Sequence, residues 1–295
     1  MVEASPVVGR FAPSPSGPLH LGSLCTAVAS FVDARHRGGR WLVRIDDLDR
    51  ARCVPGAAEQ ILHTLESHAL EWDGEILYQQ DRLPRYRAAL AELATAGLTY
   101  RCSCSRSQLS DAVYPGHCRR RPPKVGQPCA IRVIAPARSI AFDDLLQGRF
   151  EQRLDRDVGD FIVLRRDGIV AYQLAVVVDD IDQGVTHVLR GADLLDNTPR
   201  QLLLFEYLHA PSPHYAHIPV LVDRNGRKLS KQTLAPAIDD ERAATNLTLM
   251  LSLLRHTPPV ELRDAPPAEL LEWAVGAWDP TRIPSGSALA DFVCI

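Results

Sequence analysis

Residues 7–12 form a short apolar run, followed by ten residues dense in proline, serine and glycine and then by a helical period. The helix is expected from Ser23, with Leu24, Val28 and Phe31 on one face and Gly38-Gly39 as its stop. A second apolar run, residues 41–45, ends in Asp46, Asp47 and Asp49. Strand, loop, helix, strand is a βαβ unit. Its first loop lies at the carboxyl edge, where α/β folds bind ligands.

Further along, Pro55 opens a helix that buries Ala58, Ile61, Leu62 and Leu65, and residues 84–96 form another with Gly97 as its C′ residue. Strands are expected at 161–164, 185–190 and 218–222, and a helix capped by Thr198-Pro199 runs to Leu208. Residues 172–178 are apolar without a deciding period and are compatible with strand or helix. The stretch after 236 reads as mostly helical with proline breaks. The 295 residues are 46% hydrophobic and 23% charged, which excludes disordered, collagen-like and coiled-coil classes. No basic segment followed by an apolar run stands at the N-terminus, and the longest apolar stretches are far short of a membrane span. A cytoplasmic protein without a membrane partner is expected, in keeping with seven cysteines that do not form a disulfide pattern. Cys25, Cys53, Cys129 and Cys294 are scattered and read as small buried hydrophobes.

Two segments carry phosphate chemistry. The first is Pro13-Ser14-Pro15-Ser16-Gly17-Pro18-Leu19-His20-Leu21-Gly22-Ser23, between strand and helix. It has neither P-loop nor dinucleotide spacing. It does place His20 and Gly22 at a helix N-terminus, where backbone N–H groups favour an anion. The second is Lys228-Leu229-Ser230-Lys231-Gln232, after an Asn-Gly turn. The chain has 30 arginines and only 3 lysines, and two of the three flank Ser230. A compact ammonium differs from a planar guanidinium, so this loop is where two rotatable point charges suit a developing phosphate charge.

Together these segments resemble the HIGH and KMSKS signatures of class I aminoacyl-tRNA synthetases. The segments 9–17, 44–49, 176–180 and 189–194 are similar to the glutamyl-tRNA synthetase catalytic core, in the same order along residues 9–232. Within that group the chain most resembles the glutamyl-Q tRNA(Asp) synthetases, because only about 60 residues follow Gln232, too few for a helical anticodon-binding region. The resemblance implies an α/β, Rossmann-like class I synthetase core with a zinc-containing insertion and a short helical C-terminal tail. The expected units are 1–98 and 159–235 for the two halves of the core, 99–158 for the insertion and 236–295 for the tail.

The implied activity is tRNA-independent activation of L-glutamate by ATP with Mg²⁺, followed by transfer to the queuosine base in the anticodon of tRNA(Asp). A monomer is expected. The resemblance places glutamate on Arg10, Phe11, Ala12, Pro13, Ser14, Asp46, Tyr172 and Arg190. Arg10 and Arg190 suit bidentate carboxylate contacts, and Asp46 suits the ammonium. The family usually has glutamate where Asp46 stands, one methylene longer. ATP falls to Pro13, His20, Gly22, Ser23, Lys228, Ser230 and Lys231. His20 would steady phosphate oxygens, and Lys231 with Lys228 the leaving pyrophosphate.

Cys102 and Cys104, with Cys118 fourteen residues on, suit one tetrahedral structural Zn²⁺. Chemistry alone favours His117 as the fourth ligand, imidazole being commoner than phenolate. The family pattern, Cys-x-Cys then Tyr-x-x-x-Cys, points to Tyr114. Around these lie Arg101, Arg106, Arg119, Arg120, Arg121 and Lys124, a basic run suited to the phosphates of an anticodon stem-loop. The net charge of −3 conceals it. Competing readings are a truncated enzyme that charges tRNA(Glu) and a non-catalytic zinc RNA-binding paralogue.

Overall fold

The computed structural model describes residues 6–105, 113–114, 116–222 and 238–289. The chain opens with β1 (Val8–Phe11), α1 (Leu21–His36) and β2 (Arg40–Ile45), then α2 (Ala57–Ser67), the two-residue β3 (Leu77–Tyr78) and α3 (Leu83–Thr95). β1 pairs with β2 and β2 with β3, all parallel. The expected βαβ unit is therefore present. Its turn needs glycine: a Cβ on Gly39 would stand 2.5 Å from the Val7 carbonyl oxygen. Trp41 locks α1 onto the strand layer. It is fully buried, meets the Phe31 ring edge-on at 5.3 Å between centroids, and donates its indole N–H to Ser30 Oγ. Truncation of a buried aromatic of this kind costs about 3–5 kcal/mol.

A mainly antiparallel region follows. It holds β4 (Thr99–Cys102), the single-turn α4 (His117–Arg120), β5 (Ala130–Val133), the hairpin β6 (Ser139–Asp144) and β7 (Gly148–Arg153), α5 (Leu154–Asp157) and β8 (Phe161–Leu164). β5 lies between β4 and β8, so this sheet extends past residue 158.

The chain then returns to parallel pairing through α6 (Tyr172–Asp182), β9 (His187–Gly191), α7 (Thr198–Tyr207) and β10 (His214–Ile218). Thr186, just before β9, receives the Val8 amide on Oγ1 at 2.8 Å and gives its own amide to the Val8 carbonyl at 2.9 Å. β9 thus runs beside β1, and the two parallel ladders share one carboxyl edge. The described C-terminal stretch contains α8 (Ala243–Leu253) and α9 (Pro267–Ala277), which pack on α1 in the main core. β11 (Val220–Leu221) pairs in parallel with β12 (Ala288–Leu289), a strand the sequence did not announce.

One open reading is settled and three local expectations change. The apolar stretch 172–178 is helical: residues 173–180 of α6 are buried on every side, so no amphipathic stripe marks it. α1 starts two residues early, because His20 rather than a residue nearer Ser23 is its N-cap. Thr198 does not cap α7; Asn197 holds that position, and the Thr198 hydroxyl serves Arg190 instead. The expected strand 218–222 is two strands, His214–Ile218 and Val220–Leu221, parted at Pro219, which has no N–H for a ladder. Among the described residues no helix is long and apolar enough to cross a membrane.

Candidate active site

The carboxyl edge of the parallel ladders opens into a cavity of about 980 Å³. β1 supplies Arg10 and Phe11, and the following loop supplies Ala12, Pro13, Ser14 and His20. The first turn of α1 adds Gly22 and Ser23, the end of β2 Asp46, α6 Tyr172 and β9 Arg190; all line the cavity. Lys228, Ser230 and Lys231 lie outside the described residues. Cys25 also lines the cavity, but burial pushes its thiol up to about 12, so it is a packing residue rather than a nucleophile.

Charge at the cavity floor is organised by Arg44, whose side chain is entirely buried. It donates to Asp180 Oδ1 at 2.8 Å, Gln183 Oε1 at 2.9 Å and Asp46 Oδ1 at 3.2 Å. Asp180 also accepts from Nε and Nη2 of Arg10, both at 3.4 Å. Burial would raise the Asp180 carboxyl, yet Arg10 and Arg44 hold it below its ordinary value. Burial dominates at Asp46: despite Arg44 its carboxyl is pushed up to about 7. Sequence reasoning gave no role to Arg44, Asp179 or Asp180. The signal was available, in an arginine inside the apolar strand 41–45 and two carboxylates closing the apolar run 172–178.

Arg190 is held differently. Its Nε donates to His217 Nε2 at 2.9 Å and its Nη2 to Thr198 Oγ1 at 2.8 Å, while Nη1 is buried with no hydrogen-bond partner among the described residues. The guanidinium also lies 5.2 Å from the Tyr215 ring centroid. An unsatisfied buried donor beside a cavity is a site for an acceptor on a ligand.

His20 is engaged locally. Nδ1 accepts from the Ser23 amide at 3.2 Å, so the proton sits on Nε2, 3.0 Å from Ser23 Oγ. The histidine thereby caps α1 and aligns the Ser23 hydroxyl, with both side chains on the cavity wall. Exposed amides of a helix N-terminus beside a hydroxyl make an anion site.

A second constellation lies in the antiparallel region. The Cys102, Cys104 and Cys118 sulfurs all lie within 4.8 Å of one another. Tyr114 Oη is 3.3 Å from Cys102 Sγ and 3.6 Å from Cys104 Sγ, and the Cys118 amide donates to it at 3.0 Å. Tetrahedral coordination with metal–sulfur bonds near 2.3 Å sets ligand atoms about 3.8 Å apart, so this donor set fits a metal ion. Tyr114 is buried at 6% exposure, whereas His117 is exposed on α4. Burial would raise the Cys118 thiol, but hydrogen bonds from the Ser103 amide, Tyr114 and the neighbouring thiols bring it down to about 7. Arg166, two residues past β8, donates to the Cys104 carbonyl at 3.0 Å and links the cluster to the end of that strand.

A family model described as tRNA synthetases class I (E and Q), catalytic domain, matches residues 6–115 and 116–256. The chain belongs to that family. It is 53% identical over 291 residues to the glutamyl-Q tRNA(Asp) synthetase of Thiobacillus denitrificans, an alignment covering 96% of this chain and 97% of the relative. It is 53% identical over 287 residues to the glutamyl-Q tRNA(Asp) synthetase of Methylococcus capsulatus, covering 96% and 95%. The fold superposes on a glutamate tRNA ligase from Elizabethkingia meningosepticum, in complex with its amino acid, with a TM-score of 0.81 and 24% identity. That match covers 96% of this chain and 66% of the other. The α/β class I synthetase core is therefore established, and with it membership of the aminoacyl-tRNA ligases.

Proposed function

We propose that the protein activates L-glutamate with ATP in the absence of tRNA and transfers it to the queuosine base in the anticodon of tRNA(Asp). The observation that carries the amino-acid part is the charge pattern of one cavity: the buried arginines Arg10 and Arg190 and the carboxylate of Asp46. Glutamate has two carboxylates and one ammonium, and this lining complements it. The acceptor follows from the name shared by relatives that align along nearly the whole chain.

In the first step an oxygen of the glutamate α-carboxylate attacks the α-phosphorus of ATP. A carboxyl oxygen–phosphorus bond forms, the bond to the bridging oxygen breaks, and pyrophosphate leaves with its magnesium. Positioning and charge stabilisation supply most of the acceleration in such a transfer. Arg190 and Arg10 hold carboxylate, Asp46 the ammonium, and Tyr172 adds a hydrogen bond. The amides at the start of α1, with His20 and Ser23, steady phosphate oxygens, and Lys231 with Lys228 would meet the pyrophosphate charge. In the second step a hydroxyl of the queuosine cyclopentene ring attacks the acyl carbon and AMP departs.

Cys102, Cys104, Cys118 and Tyr114 would hold one Zn²⁺, a closed site that staples a loop-rich segment and leaves the chemistry to the cavity. The protein acts in the cytoplasm as a monomer. The test is glutamylation of purified tRNA(Asp) with and without queuosine, beside tRNA(Glu), together with glutamate-dependent pyrophosphate exchange in the absence of RNA. Exchange without tRNA and labelling only of queuosine-bearing tRNA(Asp) are expected. Charging of tRNA(Glu) would replace this reading with the tRNA(Glu) enzyme.

A further inference from the structure

The two cavity arginines are anchored by different chemistry. Arg10 spends Nε and Nη2 on the carboxylate of Asp180, an anionic partner that it shares with Arg44. Arg190 gives Nε to an imidazole, Nη2 to the Thr198 hydroxyl and the Leu194 carbonyl, and keeps Nη1 unpartnered among the described residues. None of these acceptors carries a negative charge, so the Arg190 charge stays available to a ligand.

The imidazole is itself fixed. His217, fully buried at the end of β10, has Nδ1 2.5 Å from Asp144 Oδ2. Because Nε2 accepts from Arg190, the ring proton must reside on Nδ1 and be donated to Asp144. Asp144 Oδ1 accepts in addition from the amides of His217, Leu146 and Gln147, at 2.9–3.1 Å. Four donors on one buried carboxylate hold it ionised and immobile. The Tyr215 ring stacks parallel to His217, 6.0 Å between centroids, and closes the remaining side.

We propose that Asp144 and His217 are positioning residues that hold Arg190 in register for a substrate carboxylate while leaving its charge unneutralised. A carboxylate in the place of His217 would grip Arg190 equally well and cancel the charge offered to the ligand. The neutral imidazole relays the anchoring from Asp144 without that cost. The inference rests on the glutamate reading of the cavity.

Pyrophosphate exchange with the full chain tests it. His217→Ala and Asp144→Asn should raise the glutamate KM by about tenfold, the effect of losing one hydrogen bond to a charged group. The KM for ATP should stay within about twofold, since no ATP-facing group moves. His217→Gln, whose Oε1 can accept from Arg190 Nε, should recover most of the loss. Parallel thermal unfolding identifies any variant that fails to fold. Equal rises in both KM values, or a folded His217→Gln variant no better than His217→Ala, would overturn the proposal. A reading independent of substrate is the ¹⁵N spectrum of His217, where the Nδ1–H tautomer is expected and an Nε2–H tautomer overturns the pairing. Absence of glutamate-dependent exchange in the unmodified protein, with the Nδ1–H tautomer present, would instead sink the glutamate reading and keep the Asp144–His217–Arg190 anchoring.

Discussion

Arg44 Nη1 donates to Asp180 Oδ1 at 2.8 Å, joining β2 to α6 across 136 residues of sequence, and neither side chain reaches solvent appreciably. The same carboxylate anchors Arg10, so one aspartate fixes two guanidiniums under the cavity. Asp180→Ala would leave both buried charges without that partner. The expected loss is about 3–5 kcal/mol of folding stability, since removing one member of a buried pair costs more than the pair contributes. Urea unfolding of the two proteins checks it, and a loss below about 1 kcal/mol would mean the network is not a structural tie.

In the proposed glutamate reading Asp46 pairs the substrate ammonium, so its protonation should set the pH dependence of amino-acid affinity. Its carboxyl is pushed up to about 7 by burial, with Arg44 opposing. Below that pH it is protonated and offers no counter-charge to the substrate ammonium; above it the charge is present. The glutamate KM should therefore fall as pH rises through about 7. Asp46→Asn should flatten that profile at the weak acid-side affinity. Exchange kinetics from about pH 5.5 to 8.5 measure it, and an unchanged glutamate KM across that range in the unmodified protein would refute it.

The βαβ unit was legible from its punctuation: a proline-, serine- and glycine-dense loop and Gly38-Gly39 bracket a segment too long for a strand, although residues 27–34 of α1 are buried on every side. α6 was not, because a helix buried all round has lost the stripe that distinguishes it from a strand. Arg10, Asp46, Tyr172 and Arg190 could be placed by motif, but what anchors them could not. Arg44 meets Asp180 136 positions away and Asp144 meets His217 73 positions away, distances that no local pattern encodes. Thr198 shows the same limit: its residue type suits a cap, and the Arg190 guanidinium, eight residues back, takes its hydroxyl instead.

Tyr114 and His117 give opposite expectations for metal analysis. Tyr114 Oη is within 3.6 Å of two of the sulfurs and buried, while the His117 imidazole is exposed. Zinc content of about one per chain should persist in His117→Ala and fall by more than about half in Tyr114→Phe, with Cys102→Ser abolishing it. Loss of zinc in the histidine variant alone would reverse the assignment. Chelation should loosen the region around β4 and α4, detected as faster amide exchange there, and spare the core around Trp41.

The basic run beside the cysteine cluster divides by contact. Arg119 stands 3.7 Å from the buried carboxylate of Asp160, which also accepts from the Tyr100 hydroxyl at 2.6 Å and the Ala135 amide at 2.8 Å. Part of its charge is thus committed to holding α4 against the sheet. Arg121 and Lys124 are exposed on the same segment. Each phosphate contact that a cation makes adds about 0.7–0.9 to the slope of log affinity against log salt. Arg121→Gln combined with Lys124→Gln should therefore reduce the slope for tRNA(Asp) by about 1.5 without changing thermal stability. Arg119→Gln should do the converse, lowering the stability of the region around α4 more than the slope. Filter binding between about 50 and 300 mM salt distinguishes the two, and an unchanged slope in the double variant would remove this face from the RNA contact.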